Sequence, residues 1–341
     1  MIIAIQPDSA DPDDERTNGS SRYAAILEKA GHHVRWVDIR RSDIIDQLRG
    51  CDGFIWRQGA GTMVQIARHV LPVLERELGL AMYPDQRTCW HFDDRIAQKY
   101  LFDAHHIPTP FTWVHWDDLD ATLTWATHAS YPLVLKLASD GASRSVRLIR
   151  SFAEVEPWVR RLMGDGVFTL DEAGHRTPGG RMSSYHRSYV FLQEFLPGND
   201  FDTRVAVVGG RAFACRRFGG AVDAAANGGA RADYDQAAIS ASAIRTALDA
   251  ARRLGAQSLV FELMRRAAEF VVVEASVAGA SRLVHDAPGH WTVDGDPLAG
   301  PLTFHEGRMR SEDAEMADYL IRLEARRGED AVSRALLSAV Q

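Results

Sequence analysis

Cysteine is scarce in this 341-residue chain: Cys51, Cys89 and Cys215 stand far apart, and no C-x-x-C pair occurs. That spacing argues against a disulfide framework or a zinc knuckle, and a reducing cytoplasm fits it best. Long apolar runs are lacking too, none approaching the roughly 18 residues that a membrane-crossing helix requires. The opening "MIIAIQPD" has neither the basic flank nor the apolar length of a signal peptide, so a soluble intracellular protein is expected. Positive charge is in deficit. Lys and Arg number 39 against 46 Asp and Glu, a formal net charge of -7 that disfavours a nucleic-acid partner. Neither G-x-x-x-x-G-K-[ST] nor G-x-S-x-G occurs, internal repeats are absent, and no cysteine can be tied to a histidine as a nucleophile–base pair.

What remains is an ordinary globular composition, 46% hydrophobic and 25% charged. The length exceeds what one core usually supports, so two or three subdomains are expected. The first ninety residues alternate between short apolar runs ("IIAIQ", "VRWVDI", "GFIWR") and helical patterns ("SSRYAAILEKAG", "RSDIIDQLRG", "TMVQIARHVLPVLERELG"). Strands spaced by helices imply a parallel sheet covered on both faces. "GAGT" at 59–62 sits where a dinucleotide loop would, but Val64 holds the place of the third glycine, and a plain helix entry or substrate loop is the better reading. Farther on, "YPLVLKLASDGASRSVRLIRS" reads as two strands around a small-residue loop, and "SFAEVEPWVRRLMG" as a helix. Residues 170–187 read as an exposed loop. "SYVFLQEFLPGNDFDTRVAVVGGRAFACRRF" reads as a strand, a turn and a hairpin closed by Gly209-Gly210. A helix at "SASAIRTALDAARRLGA", two strands at "SLVFELM" and "EFVVVEAS", and a helical end complete the reading.

Chemistry concentrates in three places. Glu262 and Glu274 are equidistant from Ala268, so a three-residue loop centred there sets them opposite each other on otherwise apolar strands. Directly opposed side chains lie about 5 Å apart at Cβ, where like charges repel. Two such carboxylates raise one pKa or bind a cation, and Ser276, two residues on, shares their face. The all-oxygen set suits Mg²⁺; two solvated glutamates at exposed edges are the plain alternative. Lys136 lies in "PLVLKLAS" on the face opposite Leu133, Leu135 and Leu137, where an ammonium needs an anionic partner. Gly141, Ser143 and Ser145 follow it in a segment able to approach phosphate; a frayed strand end is the bland reading. Arg95 and Lys99, four apart, share one helix face, either as solvated surface or to reach the same anion as Lys136.

The segment "PDQRTCWHFDDRIAQKYLFDAHHIPTP" at 84–110 gathers Cys89, His91, Asp93, Asp94, His105 and His106. A metal site there would need an extended chain and a matched second half, which the sequence does not supply. Asp93 or Asp94 reads instead as a helix N-cap, and the two histidines as its polar end before Pro108.

The order of these parts resembles the ATP-grasp superfamily, with its RimK-like carboxylate–amine ligases the nearest likeness. The resemblance rests on "HIPTP", "YPLVLK", a Gly/Ser loop, "QEFLPGNDFDTRVAVVGG" and two acids on a terminal hairpin, and spans roughly 84–310. "PDQRTCWHFDD", "QKYL" and "PGHW" look like a bacterial subgroup that often carries "FRTCWHFDDK" and accompanies polysaccharide genes. The resemblance implies an α/β N-terminal domain plus α+β ATP-grasp domains that hold ATP between two antiparallel sheets. Its divisions would be 1–92, 93–192 and 193–341. It further implies ATP and Mg²⁺, with Mn²⁺ as a substitute, and often a homodimer. On that pattern Arg95, Lys99, Lys136 and Ser143 contact phosphates, with Arg95 standing where lysine is commoner. Glu194 faces the adenine amine, the backbone of Phe195 and Leu196 reads the ring edge, and Asp200 takes the ribose. Glu262, Glu274 and Ser276 hold the metal.

Two departures from the pattern stand out. Ala225 replaces an arginine ahead of Asn227, and the usual E-x-N reads Glu274-Ala275-Ser276. Phosphate neutralisation then falls to Arg216 and Arg217, and Arg204 is the candidate for gripping a substrate anion. The implied reaction is phosphorylation of a carboxylate by ATP followed by attack of an amine. An ATP-grasp kinase that stops at phosphate transfer, or a nucleotide-binding protein without turnover, are the alternatives.

Overall fold

The computed structural model describes residues 1–8, 19–57, 62–139, 146–168, 185–219, 231–277 and 280–340, the side chains of Thr62 and 329–340 excepted. Three sheets of any size organise them. In the first, β1 (Ile2–Ile5), β2 (His33–Trp36), β3 (Gly53–Ile55) and β4 (Ala81–Tyr83) pair in parallel in the order β2-β1-β3-β4. Helices α1 (Gly19–Lys29), α2 (Ile44–Leu48) and α3 (Thr62–Arg76) occupy the connections. Ala4, Phe54 and Met82 face Leu48, Leu71 and Leu74, while Ile3, Ile5 and Ile55 face Tyr23 and Leu27. A sheet buried on both sides explains strands that are apolar throughout rather than alternating.

After α4 (Gln86–Cys89) and α5 (Arg95–Ala104) the chain enters the second sheet. It contains β5 (Thr112–Trp116), β6 (Leu133–Lys136), β7 (Val146–Ile149) and β10 (Tyr189–Glu194), all pairs antiparallel in the order β5-β10-β6-β7. Helices α6 (Leu119–His128) and α7 (Phe152–Met163) cover one face through Leu133, Leu135, Val190 and Leu192. The other face, which carries Lys136, Phe191, Gln193 and Thr112, is turned to a cleft. Two short strands, β8 (Val167–Phe168) and β9 (Tyr185–His186), pair beside it.

The third sheet is antiparallel, in the order β15-β14-β11-β12-β16-β17 with β13 on β12. Its members are β11 (Phe201–Val208), β12 (Arg211–Phe218), β13 (Arg231–Asp233), β14 (Ser258–Arg266), β15 (Glu269–Ser276), β16 (Gly289–Val293) and β17 (Leu302–Glu306). Helix α8 (Ala241–Leu254) packs on the face of Val205, Val207, Phe261 and Leu263. Its fully buried alanines, Ala243, Ala247 and Ala250, let it lie close to the sheet. Helix α9 (Ala280–Asp286) and the start of α10 (Ser311–Val340) cover the opposite face through Leu283, Val284 and Ala314.

One expectation needs correction. The end of the chain is not helical alone, because "GHWTV" and "LTFHE" pair as a hairpin, His290 opposite His305. Their short polar-apolar alternation is weak, and Trp291 and Phe304 supply the packing that holds them. Helix α10 also returns to the first sheet, where Met316, Tyr319 and Leu323 join the core formed by α1.

Gln257 stitches the first sheet to the third. Its Nε2 donates to the Met82 carbonyl at 2.9 Å, its Oε1 accepts from Asp85 N–H at 2.8 Å, and its own N–H donates to Thr88 Oγ1 at 2.9 Å. The residue is 5% exposed, so water cannot replace these bonds. Gln257→Ala strips two buried backbone groups of partners and is expected to cost about 2–3 kcal/mol. A lowered urea midpoint at unchanged slope is the measurement that checks it.

Candidate functional site

Glu262 and Glu274 do face each other across β14 and β15, but not through the turn expected. The hairpin loop is two residues, Ala267-Ala268, between the paired Arg266 and Glu269, with Ala267 in the left-handed region at φ 54°. That register alone would put Glu262 opposite Val273. A bulge between Glu262 and Leu263, with Val273 the extra residue, shifts the pairing by one and brings Glu274 to Glu262. The bulge is invisible to counting because a two-residue turn plus one inserted residue has the same centre as a three-residue loop. Ser276, paired with Val260, shares the face of both glutamates.

Arginines gather on that face. Arg204 lies opposite Glu262 in the register and bonds its carboxylate through Nη2. Arg217 holds Asp202 through Nε at 2.9 Å and again through Nη2, which also lies 3.4 Å from Glu262. Asp202 is 2% exposed and serves Arg204 as well, at 3.7 Å. Burial pushes the Glu262 carboxyl above its ordinary range, Arg204 and Arg217 pull it down, and Glu274 pushes it up again. Arg216, one residue before Arg217, points to the other face of β12. There it pairs with Asp233 and lies 5.2 Å over the Phe201 ring. The structure therefore brings Arg204 and Arg217 to the glutamates and leaves Arg216 outside the cluster.

From across the cleft come Arg95 and Lys136. Asp94 caps α5 by accepting from Ala97 N–H, as an N-cap should, and this sets Arg95 in the first turn. Arg95 Nε approaches Glu274 Oε2 at 3.3 Å, and Nη1 donates to the Leu137 carbonyl at 2.9 Å, joining the second sheet to the third. Lys136 ends β6 and is 6% exposed. Burial lowers its pKa to about 8, the nearby Glu274 and Glu262 opposing that shift and Arg95 reinforcing it. Lys99 lines the same cleft but is paired with Asp103 and set over the Tyr100 ring.

The segment joining β10 to β11 connects the two antiparallel sheets. At its start the Glu194 carboxylate accepts from Phe111 N–H at 3.0 Å and lies 3.9 Å from Arg266. Phe195 is half-buried, Leu196 is buried with its carbonyl accepting from Asn199 Nδ2 at 3.3 Å, and Asp200 is exposed. Ser143, Gly141, Ser145, Ala225 and Asn227, like 59–61 of the "GAGT" loop, lie outside the described residues. Cys89 and His91 are buried, and burial holds His91 neutral with a pKa near about 4. Among the described residues no group of three or more His, Cys, Asp or Glu is arranged to hold a metal.

Sequence reasoning missed Gln98. It is 4% exposed, donates to the Ala275 carbonyl at 2.7 Å and accepts from the Ala275 N–H at 3.1 Å, pairing with β15 as a neighbouring strand would. With Arg95 three residues earlier on the same face, α5 fixes Glu274 from the side and from the backbone. The signal was present in "RIAQ": an amide three residues after a basic residue, on a face otherwise available for packing.

Neither a protein-family model nor a curated protein sequence matches this chain. Solved structures do. The ATP-grasp ligase PsnB, complexed with a minimal precursor, is similar with a TM-score of 0.54 and 17% identity over 93% of this chain and 98% of that one. N5-carboxyaminoimidazole ribonucleotide synthetase in its ADP complex gives 0.56 and 14% over 90% and 78%. A RimK domain ATP-grasp protein from Sphaerobacter thermophilus gives 0.50 and 18% over 82% and 92%. With its two antiparallel sheets about one cleft, the chain has the ATP-grasp fold.

Proposed function

We propose that the chain is an ATP-dependent carboxylate–amine ligase of RimK-like type, joining small-molecule or peptide substrates through an acyl phosphate. One observation carries this reading: an opposed pair of glutamates on the third sheet meets a buried lysine from the second, with Arg95 bridging them. The proposed division into 1–92, 93–192 and 193–341 places that meeting between the last two units. PsnB has been seen with Mg and ADP, and with a precursor peptide and AMPPNP, which agrees with a nucleotide in this cleft and a peptide among the candidate substrates.

The donor set fits a hard divalent cation. Glu262 and Glu274 are carboxylates on one face, with a hydroxyl beside them, and burial of Glu262 near a like charge favours a cation there. Mg²⁺ would be held by Glu262, Glu274 and Ser276, and when bound it supplies neutralisation of phosphate charge. The protein's own residues do the rest. Lys136 and Arg95 bind nucleotide phosphates from the second-sheet side, with Lys99 at the same cleft. Glu194, Phe195, Leu196 and Asp200, on the segment between the sheets, border the base and ribose. Arg204 grips the substrate carboxylate, and Arg217, held by Asp202, stands beside it.

In the reaction a carboxylate oxygen attacks the γ-phosphorus and ADP leaves. The amine then attacks the acyl carbon, phosphate departs, and the amine loses a proton. No nucleophilic side chain enters, and catalysis is positioning and charge stabilisation.

Release of ADP in a panel of carboxylates, with and without amines, is the direct test. Turnover is expected to need both partners and to stop on chelation of divalent ions. Amine-independent turnover with a stable phosphorylated product would instead establish a kinase, and nucleotide binding with no turnover across the panel a binding protein.

Lys136→Ala is expected to weaken nucleotide binding about a hundredfold, since it removes a desolvated cation from a phosphate site. The pH dependence follows from burial. Lys136 is charged below a pKa of about 8 and neutral above it. Affinity for a non-hydrolysable ATP analogue should therefore fall as pH rises from about 7 to about 9, by at most roughly tenfold per unit. Lys136→Arg, charged throughout, should flatten that profile in calorimetric titrations.

A further inference from the structure

His186 in β9 and Tyr189 at the start of β10 are 3% and 6% exposed, and neither has a part in the chemistry above. The Tyr189 hydroxyl accepts from Ala138 N–H at 2.8 Å and lies 2.7 Å from His186 Nδ1. A phenol has one proton. Its oxygen accepts the backbone N–H, and its other polar contact is Nδ1; donating the phenolic proton to Nδ1, with the imidazole proton on Nε2, is the tautomer that gives the buried O–H an acceptor. That Nε2 is buried, and the Ser139 backbone and Arg95 lie beside the ring.

Ala138 is the hinge of the matter. Its N–H is held by Tyr189, its carbonyl accepts from Arg95 N–H at 2.8 Å, and the Leu137 carbonyl accepts from Arg95 Nη1 at 2.9 Å. These two residues directly follow Lys136 at the end of β6. The backbone leaving β6 is thus fixed from one side by Arg95 and from the other by a buried phenol whose orientation His186 determines.

We propose that Tyr189, oriented by His186, is a positioning residue for the nucleotide: it holds the chain at Ala138 so that Lys136 and Arg95 converge on the same phosphates. The inference rests on the ATP-binding reading above. The phenol acts through the backbone and touches neither the reacting atoms nor the metal ligands. Its nearest aromatic neighbours, Trp116 at 6.0 Å and His186 at 6.1 Å between ring centroids, contact the ring, which a phenylalanine preserves.

Titration of the whole protein with AMPPNP and Mg²⁺ tests it. Tyr189→Phe is expected to bind about tenfold more weakly, the loss of roughly one buried hydrogen bond at the site. His186→Ala should weaken binding similarly, while His186→Asn, which keeps an acceptor near Nδ1, should recover most of the affinity. Nitrogen-15 spectra should show a neutral His186 protonated on Nε2. Equal affinity in Tyr189→Phe, no difference between His186→Asn and His186→Ala, or an Nδ1-protonated ring overturns this inference alone. Absence of AMPPNP binding by the unaltered protein overturns the ATP reading and this inference with it.

Discussion

Two carboxylates set face to face in an apolar hairpin are the constraint around which the molecule is organised. Glu262 and Glu274 occupy opposed positions on β14 and β15, a pairing that costs energy unless cations answer it. The answer comes from every direction. Arg204 and Arg217 reach in along the same sheet, and Arg95 arrives from α5 while also holding the Leu137 carbonyl of the second sheet. Opposed, partly buried carboxylates are unfavourable without cations beside them, and the neighbouring elements place basic residues there. Asp202 completes the set by holding Arg217 in a fixed orientation, a contact that a lysine in place of Arg217 could not reproduce because it lacks the planar fork.

Holding that cluster requires the three sheets to keep register, and the contacts that do so are few, buried and polar. Gln98 pairs with the Ala275 backbone and Gln257 with Met82 and Asp85, each amide answering a backbone group that would otherwise lack a partner. Near the ends of β1 and β3, Arg57 lies 3.7 Å from Asp8 and 3.6 Å from Glu312 of α10, and donates to Ser281 of α9 at 2.9 Å. Gly19 leaves room there for the Arg57 guanidinium, which a side chain at that position would displace. This group is satisfied internally, and it fastens the first sheet to the helix that follows the β14–β15 hairpin. Polar stitches of this kind give orientation as well as adhesion, since an amide matched to a backbone pair tolerates little sliding.

Much of this was legible in the sequence because it followed from local rules. Strand alternation placed Lys136 opposite three leucines, Gly209-Gly210 closed a hairpin, and Asp94 capped α5. The opposed glutamates were legible too, though by a route the structure replaces with a bulge. What stayed hidden was tertiary. Alternation already sets Arg216 and Arg217 on opposite faces of the "RAFACRRF" strand, but which of them meets the glutamates depends on tertiary partners, Asp202 for Arg217 and Asp233 on β13, a strand too short to read, for Arg216. Gln98 and Tyr189 are ordinary residues on ordinary elements, and their roles arise from partners 177 and 51 positions away. The final hairpin of β16 and β17 was missed because its strands draw their stability from Trp291 against Phe304 rather than from a pattern along the chain.

Charge in the cleft is nearly balanced. Among the described residues, Lys136, Arg95, Arg204 and Arg217 face Glu262, Glu274 and Asp202, four cations against three anions, a surplus of one. Lys99 and Arg216 add nothing to that surplus, since each is paired with an aspartate of its own. A triphosphate carries about four negative charges near neutral pH, far more than one surplus cation can offset in a partly desolvated cleft. The arginines cannot simply turn to the phosphates either, because that would leave the two glutamates opposed and unanswered. The divalent cation proposed at the glutamates would resolve both problems at once. Bound there, it would answer the carboxylates, leave Arg204 and Arg217 available to substrate oxygens, and supply charge to the phosphates of the proposed nucleotide. The acidic hairpin and the basic residues around it are therefore complementary, and the proposed nucleotide and cation would complete the balance between them.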